Sequence, residues 1–199
     1  RYYGDTDDAR RESPDYARLV NQKHFSRVQS LLTDAMQAGA RAVVGGQTDA
    51  ESRYIAPTVL AHVPDGARIM EEEIFGPVLP VLPFRDLGTA IDRINARPNP
   101  LALYLFTTED DNETAVLNRT HAGGTCINEV LLHYMNPHMP FGGNGHSGIG
   151  MGHGKYAFQE FSHARSVLRR SYGSKLMRYI YPPYGSMTRR MIDAALKYL

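Results

Sequence analysis

Glu71-Glu72-Glu73-Ile74-Phe75-Gly76-Pro77 sets a block of carboxylates directly before an aromatic ring and a Gly-Pro break. Carboxylates favour water and Phe favours burial, so a run that joins them and then turns sharply reads as a shaped rim. Gly76 permits close backbone approach, and Pro77 fixes φ on leaving the turn. A carboxylate there can accept hydrogen bonds from sugar hydroxyls while the ring covers a flat heterocycle. The same run also reads as the acidic first turn of a helix.

Three other features invite a chemical label. Gly143-Asn144-Gly145-His146-Ser147-Gly148 matches the spacing G-x-G-x-x-G. A dinucleotide fingerprint needs a strand before it and a helix opening at its third Gly. Here Pro137-His138-Met139-Pro140 precedes it and further glycines follow, so a loop packed against other backbone is the favoured reading. Cys126, the only cysteine, lies in the apolar pattern Cys126-Ile127-Asn128-Glu129-Val130 and reads as a buried structural thiol. His133, His138, His146, His153 and His163 fit no metal-ligand spacing, so no metal site is expected. The sequons at Asn112 and Asn118 carry no weight, because no secretion signal accompanies them.

The elements that must position these residues alternate. Phe25, Val28, Leu31, Leu32, Ala35 and Met36 recur at helical spacing, predicting a helix over 21–38 that Gly39 closes. Residues 4–14 read as a loop, 41–44 and 54–63 as strands, with Pro57 breaking the second. A short helix over 66–73 leads into the acidic block, and 78–84 reads as an irregular strand. Leu87, Ala90, Ile91 and Ile94 form a helical stripe, 101–107 an apolar strand, 109–120 a polar helix, and 125–132 another strand. A Gly-rich loop spans 137–154, followed by a helix over 155–163, a strand over 166–170, a Tyr-Pro tail, and a helix over 187–199. This alternation predicts an α/β fold with a layered, mostly parallel sheet flanked by helices.

The 199 residues suffice for a domain with a real core; 42% are hydrophobic and 22% charged. A net charge of +1 provides no field for a nucleic acid, and no membrane segment is visible. A single Cys points to a reducing, cytoplasmic compartment. The opening Arg1-Tyr2-Tyr3-Gly4 without Met reads as a segment of a longer protein or a processed form.

Taken in order, the landmarks resemble the C-terminal part of an aldehyde dehydrogenase, in the class-three-like branch that includes fatty-aldehyde and coniferyl-aldehyde enzymes. The carrying residues are Glu72 to Pro80, Pro100 to Phe106, Gly123-Gly124, Asn128-Glu129-Val130 and Met139-Pro140-Phe141-Gly142-Gly143. Ser147 to Gly150, His153-Gly154-Lys155, Phe158, Phe161-Ser162-His163 and Arg165-Ser166-Val167 continue the match. Asp15 to Val20, His24-Phe25 and Arg27-Val28 fit the same branch.

The resemblance implies roles. Glu73 is similar to the glutamate that holds the nicotinamide ribose hydroxyls, and Phe75 to the ring beside the nicotinamide of NAD or NADP. Tyr134, Met135, Phe141 and His153 would line the aldehyde pocket. No catalytic residue is expected in the chain: the nucleophilic cysteine and general-base glutamate would precede Arg1. Residues 1–163 would form most of the catalytic domain. Residues 164–199 would form short oligomerisation strands and a C-terminal helix serving a homodimer. The implied reaction is NAD(P)-dependent oxidation of an aldehyde to a carboxylic acid, through a thiohemiacetal and thioester on that upstream cysteine, with the isolated chain inactive. A non-catalytic assembly module, and a thiol enzyme using Cys126, are the alternatives.

Overall fold

The computed structural model of the protein describes residues 2–170, 179 and 181–197. Residues 171–178, Ile180 and the last two positions of the expected terminal helix lie outside the described residues. The chain has the α/β fold expected and divides into two compact units, though its described strands form three small sheets with two parallel and two antiparallel pairings rather than one mostly parallel sheet. The first holds residues 1–98 and 107–121, the second 99–106 and 122–199.

The first unit is organised by one long helix. α1 (Asp7–Glu12) and α2 (Gln22–Gln37) precede strand β1 (Arg41–Val44). In α2 the side chain of Asn21 accepts from His24 N at 2.9 Å, and Phe25, Val28, Leu31, Leu32 and Ala35 are buried on one face. Met36, expected in that stripe, is 46% exposed because it lies at the rim of the face. Gly39 ends the helix at φ +108°, a conformation that favours glycine. The buried face packs on Ile55, Leu60, Ile69 and Val78. Fully burying each such side chain is worth roughly 1.5–3 kcal/mol.

Three strands carry that core. β2 (Thr48–Asp49) and β3 (Tyr54–Ile55) pair antiparallel, and β1 pairs antiparallel with β4 (Thr58–Ala61). β4 pairs in parallel with β5 (Val78–Pro80), so the sheet order is β1-β4-β5. Between β4 and β5 the chain makes only a single 3₁₀ turn, Arg68–Met70, before the acidic block. β5 is shorter than the expected 78–84, since Pro80 and Pro83 supply no N–H for a ladder. α3 (Leu87–Asn95) and α4 (Asp110–Arg119) complete the unit. They bury Ile91 and Val116, and Asn95 Nδ2 donates to Arg119 O at 2.7 Å. Leu117, on the same helix as Val116, is 48% exposed.

The second unit is built on the parallel pair β6 (Ala102–Leu105) and β7 (Gly124–Ile127), in register from Ala102↔Gly124 to Leu105↔Ile127. β7 stops earlier than expected. Asn128 and Leu131 take φ of +56° and +63°, which ends the extended run, and the short helix α5 (Leu132–Met135) follows. α6 (Gly154–Glu160) and α7 (Ser186–Ala195) are the remaining helices described. Residues 166–170, read as a strand, are exposed and have no strand pairing among the described residues. An extended segment becomes a strand only with a neighbour to take its N–H and C=O groups. Among the described residues no helix is long and apolar enough to cross a membrane.

Candidate cofactor-binding and substrate-pocket residues

The acidic-aromatic corner lies in the first unit, between the 3₁₀ turn and β5. Glu73 is exposed and Phe75 is 68% exposed, with its backbone at φ +45°. A bulky residue held in the left-handed region costs roughly 1–3 kcal/mol and persists only where its surroundings over-determine it. Those surroundings can be named. Arg27, from α2, donates through Nη1 to Glu73 O at 3.0 Å and through Nη2 to Ile74 O at 2.5 Å. One residue on, Val28 packs against Gly76, where an added Cβ would meet Val28 Cγ1 at 2.8 Å. Beyond the break, Thr58 N donates to Pro77 O at 2.8 Å, tying the corner to β4.

Glu72 is occupied elsewhere. Its Oε1 accepts from Arg68 Nε at 3.2 Å and Nη2 at 2.9 Å, and its Oε2 lies 3.8 Å from Arg27 Nη1. The block of carboxylates is therefore differentiated. Glu72 closes a surface ion network of modest worth, whereas Glu73 contributes its carbonyl to the fold and presents its carboxylate to solvent. The acidic-first-turn reading fails on geometry, since no helix follows residue 73 before β5.

The four expected pocket residues lie in the second unit. Phe141 O accepts from Gly152 N at 2.6 Å, and this bridge sets the rings of Phe141 and His153 in a stack with centroids 5.7 Å apart and planes at 22°. Tyr134 meets Phe141 edge-on at 4.8 Å and lies tilted against His153 at 5.5 Å. Each such aromatic pair contributes about 0.5–1.5 kcal/mol beyond burial. Met135 is 71% exposed beside them in sequence and makes none of these ring contacts. His153 sits at φ +72° as the first turn of α6 begins.

The glycine-rich segment passes close to other backbone, as its composition suggested. An added Cβ on Gly143 would overlap Ser147 and Gly148 backbone, and one on Gly142 would overlap Gly150 O. No strand precedes Gly143 and no helix opens at Gly148, so its G-x-G-x-x-G spacing is not a phosphate cradle. Cys126 is half-buried in β7 rather than fully buried.

Two residues named in the sequence take places there that spacing did not assign them. Arg27 bonds to carbonyls 46 and 47 residues away, a reach that helical periodicity does not reveal. His133 is 6% exposed, neither ring nitrogen has a hydrogen-bond partner among the described residues, and its ring lies against Tyr104 at 5.7 Å and Phe141 at 5.9 Å. Its signal was its place in Leu132-His133-Tyr134, a polar ring flanked by apolar groups.

The chain is thus an α/β protein with a glutamate–phenylalanine corner in its first unit and a glycine-tight aromatic cluster in its second. A model of the aldehyde dehydrogenase family matches residues 4–167, and the chain belongs to that family. It is 46% identical over 174 residues to the 4,4'-diaponeurosporen-aldehyde dehydrogenase of Staphylococcus aureus, covering 87% of this chain and 37% of that protein. It is 45% identical over 197 residues to mouse aldehyde dehydrogenase family 3 member B2, covering 98% of this chain and 40% of that protein. The class-three-like branch is thereby shown. Among solved structures, the substrate-bound state of Staphylococcus aureus AldH is similar at TM-score 0.80 and 42% identity, over 98% of this chain and 41% of that one. The NAD+ complex of a Bacillus cereus aldehyde dehydrogenase is similar at TM-score 0.72 and 34% identity, over 80% and 32%. The chain thus spans about two fifths of the length of the curated relatives it matches.

Proposed function

We propose that this chain supplies cofactor-positioning and aldehyde-lining residues to an NAD(P)-dependent aldehyde dehydrogenase that converts an aldehyde to a carboxylic acid. The observation that carries the reading is the corner: an exposed carboxylate and an exposed ring two residues apart, on backbone anchored to α2 and β4. Membership of the family and likeness to a relative solved as an NAD+ complex support a nicotinamide cofactor.

The residues present fit that group. Glu73 offers an ionised acceptor for vicinal ribose hydroxyls, and Phe75 offers a flat apolar face for the nicotinamide ring. When bound, the cofactor supplies a hydride acceptor. Glu73 orients it through the ribose, and Phe75 shields one face from water. Phe141, His153, Tyr134 and Met135 form an apolar and aromatic wall for the aldehyde, with few polar groups.

Thiohemiacetal and thioester formation are assigned to a cysteine outside these residues, and the general base likewise. Cys126, half-buried in a strand, is not that nucleophile. By themselves the 199 residues are inactive on this reading. Residues 1–163 serve the catalytic domain, and residues 164–199 serve a homodimer. In the latter segment Val167 and Leu168 are 73% and 97% exposed without a strand partner among the described residues, a surface that a second copy would cover. The test is aldehyde-dependent formation of NADH or NADPH, followed by absorbance. The protein as its gene encodes it is expected to show it and the 199 residues alone are not; no turnover by the former overturns the reading.

A further inference from the structure

We propose that Arg27 is a positioning residue for the cofactor, acting through the backbone of the Glu73–Phe75 corner rather than by touching the ligand; this rests on the reading of that corner given above. The guanidinium is planar, with donors in a fixed fork. Here two of its nitrogens reach two successive carbonyls, Glu73 O at 3.0 Å and Ile74 O at 2.5 Å. Those carbonyls belong to the peptide units on either side of the Ile74 Cα. Holding both fixes the direction in which the chain leaves Glu73 and enters Phe75.

That constraint is needed because the conformation is unfavourable by itself. Phe75 takes φ +45° with its ring 68% exposed, so ring burial does not hold it there. The flanking anchors act on the far side: Val28 against Gly76, and Thr58 N on Pro77 O. On the near side, Arg27 is, among the described residues, the side chain that bonds the backbone of residues 73 and 74. Its contact with Glu72 at 3.8 Å leans the guanidinium toward the block, and Arg68 binds the same carboxylate. Because Arg27 and Val28 are consecutive in α2, one helical turn sets the corner from both sides of Phe75.

The role differs from that of a structural arginine. Loss of Arg27 frees the Glu73 carboxylate and Phe75 ring from a common frame while leaving the α2 core, which is built from Phe25, Val28, Leu31, Leu32 and Ala35, in place. The cost therefore falls on cofactor binding rather than on folding. A lysine provides the charge without the fork, so it reaches one carbonyl at a time.

The experiment uses the protein as its gene encodes it. Arg27→Met, Arg27→Lys, Glu73→Ala and Phe75→Ala are compared with the parent by cofactor Kd (fluorescence quenching with NAD and NADP), cofactor KM, kcat and Tm. Arg27→Met is expected to raise cofactor Kd and KM about tenfold or more, with Tm close to the parent's, and Arg27→Lys to fall between. Glu73→Ala and Phe75→Ala are expected to raise cofactor Kd as well. If those two raise it and Arg27→Met does not, the Arg27 assignment is overturned and the corner reading stands. If those two leave Kd unchanged, the corner reading falls and the Arg27 role with it. A drop in Tm and active fraction for Arg27→Met at unchanged cofactor Kd marks a merely structural arginine and also overturns the proposal.

Discussion

Gly123→Ala tests whether glycines set the proposed aromatic pocket wall by allowing backbones to touch. Gly123 lies immediately before β7, where its N–H donates to Pro100 O at 3.0 Å and Gly124 N donates to Leu101 O at 3.0 Å. A Cβ built there would overlap Gly142 O, and would sit 2.7 Å from Leu101 O and 3.0 Å from Gly143 Cα. Non-bonded heavy atoms prefer roughly 3.5 Å, so one neighbour must retreat by about 1 Å. β6 and β7 are held by their shared ladder, so the retreat falls on residues 142–143 and carries the adjacent Phe141 with it. Overpacking of this kind costs about 1–3 kcal/mol of stability. A displacement of about 1 Å in a positioning group costs up to about 10²-fold in rate. The assay is kcat/KM for aldehyde together with Tm, using Gly66→Ala as the control because nothing lies within 4 Å of its added methyl. Gly123→Ala should lose at least tenfold in kcat/KM and several degrees in Tm. Equal values for the two variants would refute the claim that close backbone approach builds this wall.

Leu31→Ala, at a fully buried α2 position, should cost about 2–5 kcal/mol in denaturant unfolding. Asp86 caps α3 through Thr89 N–H and hydroxyl, which hold its carboxyl below the usual range. Its stabilisation is therefore full above the unfolded value near ~4 and lost as pH falls through the lower folded value. Asp86→Asn, which keeps the cap, should show a shallower fall of Tm on acidification. Tyr16 is pushed up to about 12, chiefly by burial, with its hydroxyl donating to Ile55 O at 2.8 Å. That stabilisation holds below the ordinary tyrosine value near ~10 and is lost as pH rises through the folded value, so Tyr16→Phe should flatten the decline of Tm across that alkaline window. Leu168→Glu should shift the protein from dimer to monomer in light scattering if residues 164–199 serve assembly.

The parts of the fold written in periodicity were legible. α2 and α3 bury Phe25, Val28, Leu31 and Ile91 where helical spacing placed them, and the apolar run at 102–105 became β6. Elements that depend on single backbone angles were not. The apolar run through Val130, Leu131 and Leu132 looked like a continuing strand, yet positive φ at Asn128 and Leu131 ended it and produced α5. α1 was read as loop because it buries nothing; Thr6 accepting from Ala9 N and the acidic first turn at Asp7 and Asp8 were its only signals. The corner at residues 71–77 was visible as composition, but its differentiation into a paired Glu72 and an outward Glu73 needed Arg27 and Arg68 in place. Likewise the ring stack of Phe141 on His153 depends on a bridge across the glycine segment, which spacing alone does not disclose.

The central claim is that the Glu73 carboxylate grips the ribose of a nicotinamide cofactor. Measuring the Kd of NAD and of NADP for Glu73→Ala against the parent tests it most directly, with far-ultraviolet circular dichroism to verify folding. A hydrogen bond to a charged group contributes about 1.5–3 kcal/mol, so binding should weaken by at least about tenfold for the cofactor the enzyme uses. Unchanged affinity for both nucleotides in a folded variant would contradict the account.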